Sequence, residues 1–192
     1  MKKKNLGYFL IAFLAGIFLG VMFVNLLGNT YIERTGLFSD YFFRQYQDLA
    51  VNCDQVFFFV FKKRMKSILF IWFMGLTSAG AICTLLYSGY LGCMAGIVVM
   101  TAILRMGWKG ILIIAVSLIP QIFIYAPILT FFLNEVYEKG IKRRNMHWVH
   151  GRREIEWRYG VLLIAVLLFF FLGIVLESYV NPVLLQYILR KI

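Results

Sequence analysis

Residues 111–127 read Ile111-Leu-Ile-Ile-Ala-Val-Ser-Leu-Ile-Pro120-Gln121-Ile-Phe-Ile-Tyr125-Ala-Pro127, without a single charged side chain. A helix needs about 20 apolar residues to cross the hydrocarbon core of a bilayer. The run extends on both sides, over 110–133, and reaches that length. Each proline removes a backbone donor and crowds the preceding turn, so kinks are expected at Pro120 and Pro127. The two are seven residues apart and bend the helix toward one side. Gln121 and Tyr125 are four apart and share a face. Polar groups at such depth face protein or a water-filled cavity.

Four more apolar stretches surround this one, at 8–28, 67–88, 91–104 and 160–176. The first two are long enough to span, the last comes close, and 91–104 is short. The fold class expected is therefore all-α: one membrane domain, a polytopic bundle of about five transmembrane helices. Composition agrees. The 192 residues are 61% hydrophobic and 15% charged, with mean hydropathy +0.79. A soluble domain of this size cannot hide so much apolar surface. The net charge of +11 would suggest nucleic acid in a soluble protein. In a membrane protein, Lys and Arg flank spans, set topology and touch anionic headgroups, so no nucleic-acid partner is inferred.

Lys2, Lys3 and Lys4 precede the first stretch, which reads as a retained signal anchor with a cytoplasmic amino terminus. Five crossings then place a basic loop, 134–159, inside. The outside holds ten basic side chains and the inside also ten, so counting alone does not orient the chain. No Asp, Glu, Lys or Arg lies mid-way along any of the five stretches. That weakens a proton- or ion-coupled transporter.

Between the first two stretches the sequence is amphipathic. Phe42, Tyr46, Leu49, Cys53, Val56 and Val60 recur at helical spacing, with Phe57 among the residues that widen the stripe. That period predicts an extracytoplasmic helix over 41–61 with one apolar face. It either lies on the membrane or docks a partner protein. The basic cluster Lys62, Lys63, Arg64 and Lys66 follows and suits lipid phosphates or wall polymers. Gly16-x-x-x-Gly20 and Gly92-x-x-x-Gly96, with Gly89 on the face of the latter, permit close helix contact, within the chain or between copies of it. Pro182 is expected to end the fifth helix, leaving a short interfacial helix over 183–192. Glu177 either lies exposed at the membrane exit or meets a basic side chain. The three cysteines suggest neither a disulfide framework nor a metal site, and the spacing of His147, His150 and Glu154 is too sparse for one. No nucleotide, hydrolase or zinc-protease motif occurs, so neither an enzyme nor a cofactor is expected.

The ordered set Gly89-Tyr-Leu-Gly92, Met106-Gly107-Trp108-Lys109-Gly110, Leu118-Ile-Pro120-Gln121 and Glu177-Ser-Tyr-Val-Asn-Pro182 resembles the stage II sporulation protein M family, from about residue 57 to 185. Many relatives carry Pro-His-Gly where this chain has Pro120-Gln121. Any role of that histidine does not transfer. The resemblance implies a septal membrane protein of endospore formers that anchors two cell-wall hydrolases, a lytic transglycosylase and an amidase-endopeptidase, during engulfment of the forespore. The competing expectation is a small permease subunit working with a separate ATPase.

Overall fold

The computed structural model describes residues 3–35, 53–145 and 152–189. Among them are five helices: α1 (Lys3–Thr35), α2 (Cys53–Gly75), α3 (Gly80–Met106), α4 (Trp108–Asn145) and α5 (Arg152–Leu189). Three segments are long and apolar enough to cross a membrane: Asn5–Leu26, Gly80–Met106 and Tyr159–Val183. Less than a third of each is buried inside the chain. Phe18, Leu26, Ile164 and Leu168 lie on the surface, which suits lipid and not water.

Cross-helix contacts fix the direction of every helix. Phe9 meets Ser88, and Gly20 meets Cys93, so α1 and α3 run parallel. Ala102 meets Gly110, and Ala81 meets Gly140, so α3 and α4 form an antiparallel hairpin. Gly75 meets Tyr159, and Asp54 meets Tyr179, so α2 and α5 are antiparallel. The helices thus alternate up, down, up, down, up. One end of the bundle gathers Asn5, Gly75, Gly80, Gly140 and Tyr159 and is called the near end below. The hairpin turn at Gly107 lies at the far end, where this glycine adopts φ +57°, a left-handed conformation that a side chain disfavours.

Several boundaries differ from expectation. The stretches 67–88 and 91–104 are not separate spans. The chain breaks at 76–79 instead, and α3 continues unbroken through Gly89 and Tyr90. The break has a local cause. Leu76 and Thr77 donate to the carbonyls three residues back, at 3.0 Å each, and the Thr77 hydroxyl also bonds Met74 O at 2.7 Å. Gly80 then turns hard against the end of α2, where a Cβ would lie 2.9 Å from Met74 O. Residues 134–145 and 152–159 of the basic segment are helical, extending α4 and α5. Pro182 does not stop α5, which runs on to Leu189. A proline removes one intrahelical bond, whereas ending the helix in an apolar setting would strand several. Helix α4 likewise passes through Pro120 and Pro127.

The amphipathic segment is also redrawn. Its residues 53–61 form the first turns of α2, and Phe42, Tyr46 and Leu49 lie outside the described residues. The basic cluster therefore sits inside one helix, not between a surface helix and a span. The inward seam of α2 is Phe57, Phe61, Arg64, Ile68, Ile71 and Gly75, at alternating spacings of four and three. A helix carries such a seam along one side, and here it faces mainly α5.

Candidate functional site

Glycine builds the tightest seam in the bundle. A Cβ on Gly16 would collide with Gly89 O, and one on Gly20 with Cys93 O. Reciprocally, one on Gly92 would strike Phe13 O, and one on Gly96 would strike Ile17 at backbone atoms. The two small-residue motifs therefore face each other, α1 against α3, with backbone touching backbone. Gly89 lies in the same seam, 3.5 Å from Ala12 O by the same measure. The Ser88 hydroxyl donates to Phe9 O at 3.0 Å. Close approach maximises dispersion contact, which must hold membrane helices together where water supplies no hydrophobic drive.

A polar cluster joins the other three helices. Arg64 of α2 pairs with Glu177 of α5 at 3.2 Å. The Tyr125 hydroxyl of α4 donates to Glu177 Oε2 at 2.9 Å. The Arg64 guanidinium also lies 4.8 Å from the centre of the Tyr125 ring. Gly173 makes room for that ring, since a Cβ there would meet Tyr125 Cε1 at 2.7 Å. Phe170, one turn earlier in α5, packs against the same ring, with centroids 5.1 Å apart. One carboxylate thus satisfies two donors, and one cation lies on an aromatic face.

Arg64 lies eleven residues from Gly75 in α2, level with Phe170, which lies eleven residues from Tyr159 in α5. At 1.5 Å per residue this is about 16 Å above the near end. Arg64 therefore stands half-way along α2, a helix that begins at Cys53 and not at residue 67. Among the described residues, the three segments long and apolar enough to cross a membrane carry no Asp, Glu, Lys or Arg at their middle. Lys62, Lys63 and Lys66 lie at a similar height and are exposed.

Of the amphipathic stripe, Phe57 packs on the bundle itself. Its ring stacks on Phe61 at 5.8 Å and meets Phe171 of α5 edge-on at 5.9 Å. Val56 and Val60 are half-buried, while Phe58 and Phe59, which the stripe omitted, are exposed. Asp54, exposed at the start of α2, accepts a hydrogen bond from Tyr179 at 2.8 Å. The side chains of Pro120 and Gln121 are outside the described residues. Pro127 is exposed.

The near end has its own polar arrangement, which sequence reasoning missed. Asn5 donates to Asn134 Oδ1 and to Glu138 Oε1, both at 3.2 Å. This clips the start of α1 to the end of α4. The Trp72 and Tyr159 rings stack at 5.4 Å. The Tyr159 hydroxyl donates to Trp72 O at 3.0 Å. Lys139 Nζ lies 3.5 Å from the centre of the Tyr159 ring. Among the described residues no group of three His, Cys, Asp or Glu side chains could hold a metal ion. No protein-family model, curated protein or solved structure matches this chain.

Proposed function

We propose that this chain is an integral membrane scaffold that anchors and localises peptidoglycan hydrolases, of the lytic transglycosylase and amidase-endopeptidase types, at the septum during forespore engulfment. The choice of partners rests on the ordered sequence likeness to the stage II sporulation protein M family. The alternating direction of the five helices supports five crossings. Lys139 and Lys142 lie at the near end beside Asn5, which supports a cytoplasmic amino terminus.

One observation carries the partner-binding part. Lys62, Lys63 and Lys66 are exposed half-way up a bundle whose other exposed side chains are mostly apolar. Ammonium groups at that depth are costly in lipid and normally meet protein or water. A partner's membrane segment with acidic or polar side chains at matching depth would cover them. The adjoining Phe58 and Phe59 supply apolar contact above. Such a scaffold holds enzymes without catalysing a reaction itself.

The permease alternative needs a polar cavity reaching Gln121 and Tyr125. The Tyr125 hydroxyl is instead bonded to Glu177, which favours the scaffold. The test is an affinity capture of the tagged chain from detergent-solubilised membranes of sporulating cells, read by mass spectrometry. Wall hydrolases should be recovered, and should be lost when Lys62, Lys63 and Lys66 are changed to Glu or when Tyr46, Leu49 and Val56 are changed to Asp. Recovery of an ATPase, or of no partner, would overturn the scaffold and bring the permease forward.

A further inference from the structure

Lys62, Lys63 and Lys66 are exposed at half-height on α2, and among the described residues none of them ion-pairs with a carboxylate. They form two columns on adjoining sides of the helix. Lys62 and Lys66 lie one turn apart, and Lys63 lies one turn from Ser67, whose hydroxyl donates to the Lys63 carbonyl at 3.3 Å. Tyr87 of α3 brings its hydroxyl to Ser67. The Tyr90 ring, half-exposed, lies 6.3 Å from the Tyr87 ring by centroids.

Heights follow from the helix rise. Counted from Gly75 at 1.5 Å per residue, Ser67 lies about 12 Å above the near end, the lysines about 13–20 Å and the exposed Gln55 about 30 Å. Polar groups therefore recur up one flank of the bundle, with Phe58 and Phe59 filling the interval below Gln55. On α5 at the same level as the lysines, Phe169 and Leu172 present only hydrocarbon. Unpaired ammonium groups set in hydrocarbon draw in water and thin the bilayer around them. A phosphate entering that wet strip meets counter-charges that accept it through charge-assisted hydrogen bonds.

We infer that, where no partner covers the lysines, this flank of α2 passes phospholipid headgroups between the two leaflets. The headgroup moves along the polar strip while its acyl chains stay in the surrounding lipid. Movement is passive and runs in both directions. The lysines recognise the phosphate that all glycerophospholipids share, so the activity is broad across headgroups. The inference rests on the membrane embedding proposed above and not on the identity of any partner.

The test uses the full chain reconstituted into vesicles of phosphatidylethanolamine and phosphatidylglycerol, with a trace of phosphatidylglycerol labelled on its tail by a fluorophore. Dithionite, which does not cross the bilayer, bleaches the outer leaflet alone in protein-free vesicles. With the chain present, bleaching should continue into the inner leaflet, while the same fluorophore trapped in the lumen stays bright. Changing Lys62, Lys63 and Lys66 together to Gln should slow the inner-leaflet phase severalfold. Changing all three to Arg should preserve it, and Lys109→Gln at the far end should leave it unaltered. Size exclusion and circular dichroism check that each variant is folded. Bleaching that stops at the protein-free level, an inner-leaflet phase indifferent to the three Gln changes, or bleaching of the trapped fluorophore would each overturn the inference. A chain that fails to float with the vesicles would overturn the embedding and the inference together, whereas one that floats without moving lipid overturns the inference alone.

Discussion

Arg64 Nη2 lies 3.2 Å from Glu177 Oε1, although 113 positions separate the two residues in the chain. The pair ties α2 to α5, and Tyr125 adds α4 to the same carboxylate. Arg64→Ala and Glu177→Gln should each lower the unfolding temperature in mild detergent. The double variant should lose less than the two losses added together, because one variant alone leaves its partner without a counter-charge. A coupling of about 0.5–3 kcal/mol is expected. The 3–5 kcal/mol of a fully buried pair is an upper bound, since the side chains keep 34% and 15% of their surface exposed. Strictly additive losses would show that the contact holds nothing together.

The α1–α3 seam makes a sharper forecast. Gly16→Val and Gly92→Val each drive a side chain into a backbone carbonyl of the facing helix. Carbonyls cannot rotate aside as side chains do, so the helices must separate. The loss should exceed the roughly 1–3 kcal/mol of ordinary overpacking, seen as poor yield or early aggregation on size exclusion. Gly7→Val, with open space around it on the same helix, is the control. Equal behaviour of all three variants would dismiss the seam.

Gly75 and Tyr159 should compensate one another. A Cβ at Gly75 collides first with the Tyr159 hydroxyl and then with Val136 Cγ1 at 2.9 Å. Gly75→Ala should therefore destabilise the fold. Tyr159→Phe alone forfeits the bond to Trp72 O, at a cost of about 1 kcal/mol. Combined, the two should lose less than their sum, because removing the hydroxyl clears the worst clash. Thermal unfolding of the four chains measures this, and a double variant at or below the additive value would refute the close contact.

Helix direction is checked by cysteine labelling. In a background with the native cysteines changed to Ser, Lys142→Cys and Lys109→Cys should react with a membrane-impermeant maleimide from opposite sides of the membrane. Lys142 is exposed near the near end and Lys109 is exposed beside the far-end turn. Labelling from one side only would reduce the crossings below five.

Much of the architecture was readable locally. Helix content, an apolar surface suited to lipid and the small-residue motifs depend on length, hydropathy and periodicity within one segment. The motif Gly16-x-x-x-Gly20 announces close contact by itself. That its counterpart is Gly89, Gly92 and Gly96 of a parallel helix is not local. The break at 76–79 is masked because hydropathy stays high across it, whereas the boundary expected between residues 88 and 91 falls where Gly89 and Gly92 form a flat face for α1. Likewise the facing of residues 53–61 depends on the continuation of α2. With the seam followed to Gly75, Phe57 and Phe61 belong to the α5 contact, and Phe58 and Phe59 are left outside.

By itself the sequence determined an all-helical chain with apolar segments long enough to cross a bilayer, because backbone hydrogen bonding and apolar length are summed along each segment. Tertiary structure alone decided that Arg64, Tyr125 and Glu177 share one site, and that Lys62, Lys63 and Lys66 stand at mid-height. These depend on how distant helices are set in register. Register follows from side-chain shape across the interface, glycine against carbonyl and ring against glycine, which no single segment encodes.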